Sequence, residues 1–147
     1  MKEQDFEGFV DYWILSAANL LERTANQVLA EHGITYRQVQ VLGALAFHQP
    51  IAQNQLAEIV QVEASTVVRI LDRMERDGWI VRENDPGDRR KKLIRSTAKV
   101  APIWDTILSV GNNVRLDATK GLTRTQQKQL RELLEVVVRN LKPTSGK

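Results

Sequence analysis

The sequence predicts a mainly α-helical protein that contains one small β-hairpin near its middle. Apolar residues recur at three- and four-residue intervals at both ends of the chain, which is typical of long amphipathic helices. Between them, two alternating segments flank a run of turn-forming residues at 84–88, which is typical of a hairpin. A chain of 147 residues can bury these elements as one domain or as two closely joined lobes.

The first predicted helix runs from about Asp5 to about Ala30 and is long for so small a protein. Gly33 follows it and is suited to a left-handed C-terminal cap. The apolar residues of this helix are Phe6, Phe9, Val10, Trp13, Ile14, Ala17, Leu20, Leu21, Val28 and Leu29. A stripe of this length indicates a helix that packs against more than one partner.

Three helices are predicted between the first helix and the hairpin. A Thr-x-x-Gln capping box at 35–38 opens the first of them, which ends before Pro50. The second covers residues 53–60, and the third runs from Ala64 to Asp77. On the first of the three, we expect the inward face to carry Val39, Leu42, Leu45 and Ala46.

The hairpin and two further helices complete the predicted order. The strands lie at 79–83 and 91–96, joined by the turn at 84–88. The helical pattern returns from Lys99, with a proline in the first turn, where a missing amide costs little. A second capping box at 123–126 opens the last helix. Its apolar stripe consists of Leu130, Leu133, Leu134, Val137, Val138 and Leu141.

The helix over 64–77 has two chemically different faces. Hydroxyl and guanidinium side chains form one face: Ser65, Thr66, Arg69, Arg73 and Arg76. Apolar side chains form the other: Val67, Ile70, Leu71 and Met74. The segment 82–95 then adds six basic residues against three acidic ones, so its charge of +3 equals the net charge of the whole chain. Together these features predict a winged helix-turn-helix whose partner is double-stranded DNA.

The candidate DNA contacts are Ser65, Thr66, Arg69, Arg73, Arg89, Arg90 and Lys92. The two hydroxyls and Arg69 lie early in the second helix of the motif, the part that enters the major groove and contacts bases. Arg73 and Lys92 are suited to phosphates, and the two hairpin arginines to a narrow minor groove. The plainer alternative for the helix is a cap followed by a solvated face.

Four segments carry a resemblance to a known family: 56–58, 65–75, 78–82 and 85–90. They are similar to the leucine-alanine pair, the serine-threonine-valine-threonine-arginine run and the aspartate-arginine-arginine wing of the multiple-antibiotic-resistance regulator (MarR) family of bacterial repressors. The chain departs from that pattern at Val68, where the family often has threonine. It also has Ser96 and Val100 where the family usually has leucine and glycine.

The resemblance implies a homodimeric transcriptional regulator, specifically a repressor that binds a pseudo-palindromic operator and is released by a small aromatic or phenolic ligand. It implies that Arg89 enters the minor groove and that Asp88 braces the wing by pairing with a nearby arginine. Residues 1–34 and 99–142 would form a helical dimerisation region, 35–98 the DNA-binding domain, and 143–147 a flexible tail. The alternative for the terminal apolar stripes is a monomer that folds its two ends together.

An effector pocket would lie between the dimerisation helices and the DNA-binding lobe. The candidate lining residues are the aromatic and imidazole side chains Trp13, Tyr36, Phe47, His48 and Trp104. Aromatic residues on apolar helix faces are more often plain core, and this alternative stays open.

Other classes of function find less support in the sequence. There is no cysteine, no metal-ligand spacing, no glycine-rich phosphate loop and no nucleophile with an adjacent base, so we expect neither an enzyme nor a metal or cofactor. The sequence shows neither a signal peptide nor a membrane-spanning stretch, and a cytoplasmic location is expected. The main alternative function is a winged helix that binds another protein, as an interaction module or adaptor without specific DNA binding.

Overall fold

The computed structural model describes residues 6–143. Six α-helices and three strands follow in the order α1 (Val10–Leu29), α2 (Tyr36–His48), β1 (Ile51–Ala52), α3 (Gln53–Val60), α4 (Ala64–Arg76), β2 (Ile80–Asp85), β3 (Asp88–Ser96), α5 (Trp104–Ala118) and α6 (Arg124–Leu141). Three 3-10 segments adjoin them at Phe6–Gly8, Ala30–His32 and Ala98–Ile103. The predicted mainly α-helical class is confirmed.

The first helix is shorter than the sequence predicted. Its expected start, Asp5, lies outside the described residues, and the described α-helix begins only at Val10. Phe9 interrupts the pattern because its backbone is extended, with φ −102° and ψ 138°. At the other end, Gly33 adopts φ 67°, as expected for a left-handed cap.

Local hydrogen bonds define the starts of α2 and α6 as predicted. Thr35 accepts from the backbone N–H of Gln38, whose side-chain oxygen accepts from the Thr35 N–H. Thr123 and Gln126 form the same reciprocal pair before α6. Because both bonds of each box are local, the sequence alone was sufficient to predict them.

The inward face of α2 is only partly as predicted, since Val39 is half-buried rather than buried. Val41 and Ala44 are buried together with Leu42 and Leu45, whereas Ala46 is exposed. Leu42 and Leu45 pack in one continuous apolar cluster with residues of α3, α4 and the sheet. These partners lie on one side of α2, so the residue after Leu45 faces solvent.

The sheet has the order β1-β3-β2, and both pairings are antiparallel. Ile51 pairs with Ile94 at one edge, and Arg82 pairs with Ile94 at the other. The hairpin strands are longer than predicted, and only Pro86 and Gly87 separate them. The predicted five-residue turn was too long because its flanking residues join the strand ladder.

The helix predicted from Lys99 begins as a 3-10 helix over Ala98–Ile103, and the α-helix itself starts at Trp104. Pro102 lies inside the 3-10 part, where its missing N–H removes one donor. Gly111 is accommodated within α5.

One apolar core joins α1, α2, α3, α4, the sheet and α5. Its largest fully buried side chains include Leu29, Leu45, Leu56, Leu71 and Met74. None of the residues of α6 is buried, so its predicted apolar stripe lies on the surface of the single chain. Within residues 6–143, no helix has both the length and the hydropathy that a membrane span requires.

Candidate nucleic-acid interface

The rotation of α4 about its axis is fixed by its apolar face. Val67, Leu71 and Met74 have no exposed surface and belong to the core. Because these positions recur at three- and four-residue spacing, the opposite face turns outward. That face carries Ser65, Arg69 and Arg73, which are exposed, and Thr66, which is half-buried at its edge.

The turn between α3 and α4 is short and sets their mutual position. Gln61 adopts the left-handed conformation, with φ 53° and ψ 48°, and its N–H donates to the carbonyls of Ala57 and Glu58. The N–H of Val62 donates to the carbonyl of Ala57 at 3.2 Å. The carbonyl of Glu63 then accepts from the N–H groups of Thr66 and Val67 in the first turn of α4. This geometry is that of a helix-turn-helix whose second helix is α4.

The β2–β3 hairpin, residues 80–96, is the wing. At its tip, the carboxylate of Asp85 accepts from the N–H of Gly87 at 2.8 Å, which fixes the two-residue turn. The side chains of Arg89 and Arg90 are exposed and make neither a hydrogen bond nor an ion pair with any residue of the 6–143 span. Both guanidinium groups are therefore free to meet a phosphate or a groove.

Asp88 braces the wing differently from what the resemblance implied. Its Oδ1 accepts from the backbone N–H of Arg90 at 3.0 Å, and it makes no ion pair with an arginine in the described part of the chain. An aspartate readily bonds the backbone two residues ahead of it, which explains this arrangement. Asp88 thus orders the backbone that carries the two arginines.

Arg82 has a structural role that the sequence did not reveal. Its guanidinium bonds Asp72 at 2.8 Å and Glu75 at 2.7 Å, both on the exposed side of α4. The Arg82 side chain is only 16% exposed. Burial by itself lowers the pKa of the Arg82 guanidinium, but the hydrogen bonds and charges of Glu75 and Asp72 outweigh it and raise that pKa above its ordinary value. Arg82 therefore ties the wing to α4.

The basic residues of 82–95 divide into paired and unpaired groups. Arg82 is neutralised by α4, and Arg95 bonds Glu83 at 3.2 Å. The Lys92 ammonium donates to the uncharged amide of Asn84 at 2.5 Å and so keeps its charge for a phosphate. On α4, Arg76 pairs with its neighbour Asp77. Among the described residues, the arginines without an ion pair on α4 and the wing are Arg69, Arg73, Arg89 and Arg90. These define the basic surface, and all belong to the predicted DNA contacts.

A cavity of about 500 Å³ lies between α1, α2 and α5. Tyr36, Phe47 and Trp104, three of the predicted pocket residues, line it, together with Gln40 and Arg115. Trp13 and His48 do not line it. The exposed Trp13 indole donates to the carbonyl of Glu7, and His48 is exposed at the end of α2. The cavity wall is mainly apolar, with polar groups from Gln40 and Arg115.

No group of three or more histidine or acidic side chains lies close enough to hold a metal ion within residues 6–143. The described residues offer instead two features, the basic surface on α4 and the wing, and the mainly apolar cavity between α1, α2 and α5.

Comparisons with known proteins found a matching family model and similar chains. Residues 32–91 match a model of the MarR family. The chain is 30% identical over 118 residues to the multiple antibiotic resistance protein MarR of Escherichia coli K12. The matched region covers 80% of this chain and 82% of that protein.

Two solved structures share the fold over most of the chain. A mutant of MarR from E. coli complexed with operator DNA superposes with a TM-score of 0.83 and 27% identity, covering 92% of this chain and 99% of that one. A complex of MepR from S. aureus with DNA also gives a TM-score of 0.83, with 25% identity and coverages of 90% and 98%.

Proposed function

The chain belongs to the MarR family of transcriptional regulators, and on that premise we propose that it is a homodimeric repressor that binds a two-fold symmetric operator and is released by a small ligand. The observation that carries the proposal is the basic surface: Arg69 and Arg73 on α4, and Arg89 and Arg90 on the wing, are exposed and have no ion pair within residues 6–143. Relatives of this fold from E. coli and S. aureus were solved with DNA.

In this proposal α4 enters the major groove. Ser65, Thr66 and Arg69 lie in its N-terminal half, where side chains of such helices meet base edges, and arginine can bond the O6 and N7 atoms of guanine together. Arg73 and Lys92 contact phosphates. The wing lies along the adjacent minor groove with Arg89 inserted and Arg90 on the backbone.

We assign dimerisation to residues 1–34 and 99–142, and DNA binding to 35–98. The support is the apolar surface that the terminal helices leave uncovered in the single chain, which includes Leu15 on α1 and Leu133 on α6. Leu15 is 62% exposed and Leu133 is 66% exposed. Several other large apolar side chains of α1 and α6 are exposed as well, and so much apolar surface is unusual on a monomer. A two-fold dimer that buries these faces would place two copies of α4 about 34 Å apart, one turn of DNA.

The cavity between α1, α2 and α5 is the proposed effector site. Tyr36, Phe47 and Trp104 offer aromatic surface, and Gln40 and Arg115 offer polar groups at its wall, which suits an aromatic acid or a phenol. A ligand there releases DNA only if it binds more tightly to a dimer whose α4 helices are wrongly spaced.

The experiment that tests the proposal is selection of DNA by the purified full-length protein from a pool of random duplexes. A homodimer should enrich a two-fold symmetric sequence whose half-sites are about 10 base pairs apart, centre to centre. Enrichment of an unsymmetric sequence would contradict the dimer. Recovery of no sequence at all would contradict specific DNA binding and favour a winged helix that binds protein.

A further inference from the structure

The C-terminal end of α4 is held by several specific hydrogen bonds that the proposed DNA contacts do not require. Gly78 adopts φ 79°, and its N–H donates to the carbonyl of Glu75 at 3.0 Å. The N–H of Trp79 donates to the carbonyl of Met74 at 2.8 Å. This pair of bonds closes the helix with a glycine in the left-handed conformation. The carbonyls of Asp77 and Gly78, at and just after the end of the helix, take no part in these two bonds.

Both of those carbonyls receive side chains from residues 97–99, which follow the wing. The ammonium of Lys99 donates to the carbonyl of Asp77 at 2.6 Å, and the hydroxyl of Thr97 donates to the carbonyl of Gly78 at 2.6 Å. We call these two bonds the clamp. A cation at this place also complements the negative C-terminal end of the α4 dipole.

A second contact holds the lysine of the clamp in place. The Lys99 ammonium lies over the ring of Trp79, 4.1 Å from its centroid, and Trp79 itself is only 4% exposed. The aromatic ring that orients the lysine is therefore a fixed part of the core. Because the ammonium is engaged by both the ring and the Asp77 carbonyl, it is directed toward α4 rather than outward.

The residues of the clamp are continuous with the wall of the cavity. The Thr97 hydroxyl accepts from the N–H of Lys99 at 3.3 Å and so begins the 3-10 helix that leads into α5. Val100, one residue further, is buried in the core, and Trp104 at the start of α5 lines the cavity. One short segment thus joins the end of α4 to the start of α5, the helix that lines the cavity.

We propose that Lys99 is a positioning residue for DNA recognition: through its bond to the Asp77 carbonyl, it fixes the angle at which α4 presents Arg69 to the bases. This inference rests on the proposed DNA-reading role of α4. Without the lysine, α4 keeps its buried apolar face and the Thr97 bond to the Gly78 carbonyl, but the carbonyl of Asp77 at its C-terminal end loses its bond to the segment that leads to α5. Base contacts, which depend on orientation, then suffer more than phosphate contacts, which tolerate small displacements.

The test compares Lys99→Met, Lys99→Arg and Thr97→Val with the wild type, all as full-length proteins. The probes are the duplex that the wild type enriches and a scrambled duplex, each titrated over a salt series. Lys99→Met should lower the ratio of the two affinities roughly five- to tenfold, the lower range of what one base contact contributes. Its salt dependence on scrambled DNA should stay unchanged. Lys99→Arg, which can still donate to the carbonyl and stack on the ring, should restore the ratio.

Lys120→Met is the matched control, because Lys120 is an exposed lysine that lies on neither α4 nor the wing, and it should change neither the ratio nor the salt slope. If Lys99 instead contacts a phosphate, Lys99→Met will lower the salt slope by about one and leave the ratio intact, which overturns the proposal. An unchanged ratio and slope overturn it as well. If Lys99→Met does not fold, Thr97→Val decides, since loss of the other bond of the clamp should also lower the ratio. A wild type that enriches no duplex contradicts DNA recognition itself, whereas a discriminating wild type with an equally discriminating Lys99→Met contradicts only the clamp.

Discussion

At the scale of single residues, the charges near α4 and the wing differ in whether the protein already neutralises them. Arg82 and Arg95 are held by carboxylates, whereas Arg69 and Arg89 have no ion pair within the described span. A guanidinium that is paired inside the protein gains little by moving to DNA. The unpaired arginines are therefore the residues whose loss should be felt in DNA binding.

Arg69→Ala and Arg89→Ala should weaken DNA binding in different ways. Arg69 lies on the exposed face of α4, so its loss should reduce the preference for operator over random DNA, by about 1–3 kcal/mol if it bonds guanine. Arg89 lies on the wing, so its loss should weaken binding to both duplexes with less change in preference. Fluorescence anisotropy on both duplexes measures the two effects. Arg23→Ala, an exposed arginine on α1, is the control, and equal small effects from all three variants would contradict the interface.

Arg82→Met should lower the free energy of unfolding by about 1–2 kcal/mol, between the cost of losing a surface pair and that of breaking a buried one. The reason is that Asp72 and Glu75 lose their common partner on the largely buried Arg82 side chain. Arg95→Met is the comparison, because Arg95 and Glu83 are about half exposed and their pair should contribute about 0.5 kcal/mol or less. Urea unfolding measures both. Equal losses would show that Arg82 is no special link between wing and helix.

At the scale of elements, backbone conformation decides where helices end. Gly33 closes the first helical segment with φ 67°, a conformation that side chains disfavour. Gly43 lies inside α2, where the helical backbone accepts alanine without strain. At neither position would an added Cβ meet another atom within 4 Å. An alanine substitution at either glycine therefore tests the backbone conformation there and not a steric clash.

Gly33→Ala should destabilise the protein by about 1 kcal/mol, because alanine is strained at a positive φ. Gly43→Ala should stabilise it by about 0.5–1 kcal/mol, because alanine loses less entropy in a helix. Thermal unfolding of the two variants, monitored by circular dichroism, measures both. Shifts of the same sign would contradict the assigned conformation of one of these glycines.

The sequence predicted those parts of the fold that local chemistry determines. The two capping boxes, the bounds of α3 and the left-handed Gly33 depend on neighbours within a few residues. Interactions across elements were not predictable in this way. The exposure of Ala46 depends on where the core lies, and the wing became longer because its predicted turn residues pair with each other.

The candidate site shows the same division. Periodicity alone predicted the outward face of α4, because its apolar positions recur at helical spacing. The pairing of Arg82 with Asp72 joins residues ten positions apart in different elements, and no local pattern reveals it. Trp13 was grouped with the pocket aromatics by residue type, yet its indole bonds Glu7 near the start of the described chain. Composition can group residues without showing which surfaces they share.

At the scale of the whole molecule, the central question is what covers the terminal helices. The core is complete without α6, none of whose residues is buried in the single chain. The apolar surface of α6 would be costly to leave in water. The proposed second copy resolves this and also supplies the second α4 that a symmetric operator needs.

Leu133→Glu should therefore convert the dimer to a monomer, because it places a charge in the middle of the proposed interface. Sedimentation equilibrium over a range of concentrations measures the change. Ile59→Glu is the control, since Ile59 is a similarly apolar and partly exposed residue of α3, outside the proposed dimerisation region. A wild type that sediments as a monomer at all concentrations would contradict the assignment of the terminal helices.

The decisive test of sequence-specific DNA binding is a salt series of binding to the enriched duplex and to its scrambled counterpart. The proposal predicts one dimer bound per duplex, a clear preference for the enriched sequence, and affinity that falls steeply with salt. With several phosphates neutralised per dimer, the logarithm of affinity should fall with a slope of several units against the logarithm of salt concentration. Weak binding with a shallow salt slope and no preference between the duplexes would contradict the assignment of this chain as a sequence-specific DNA-binding regulator.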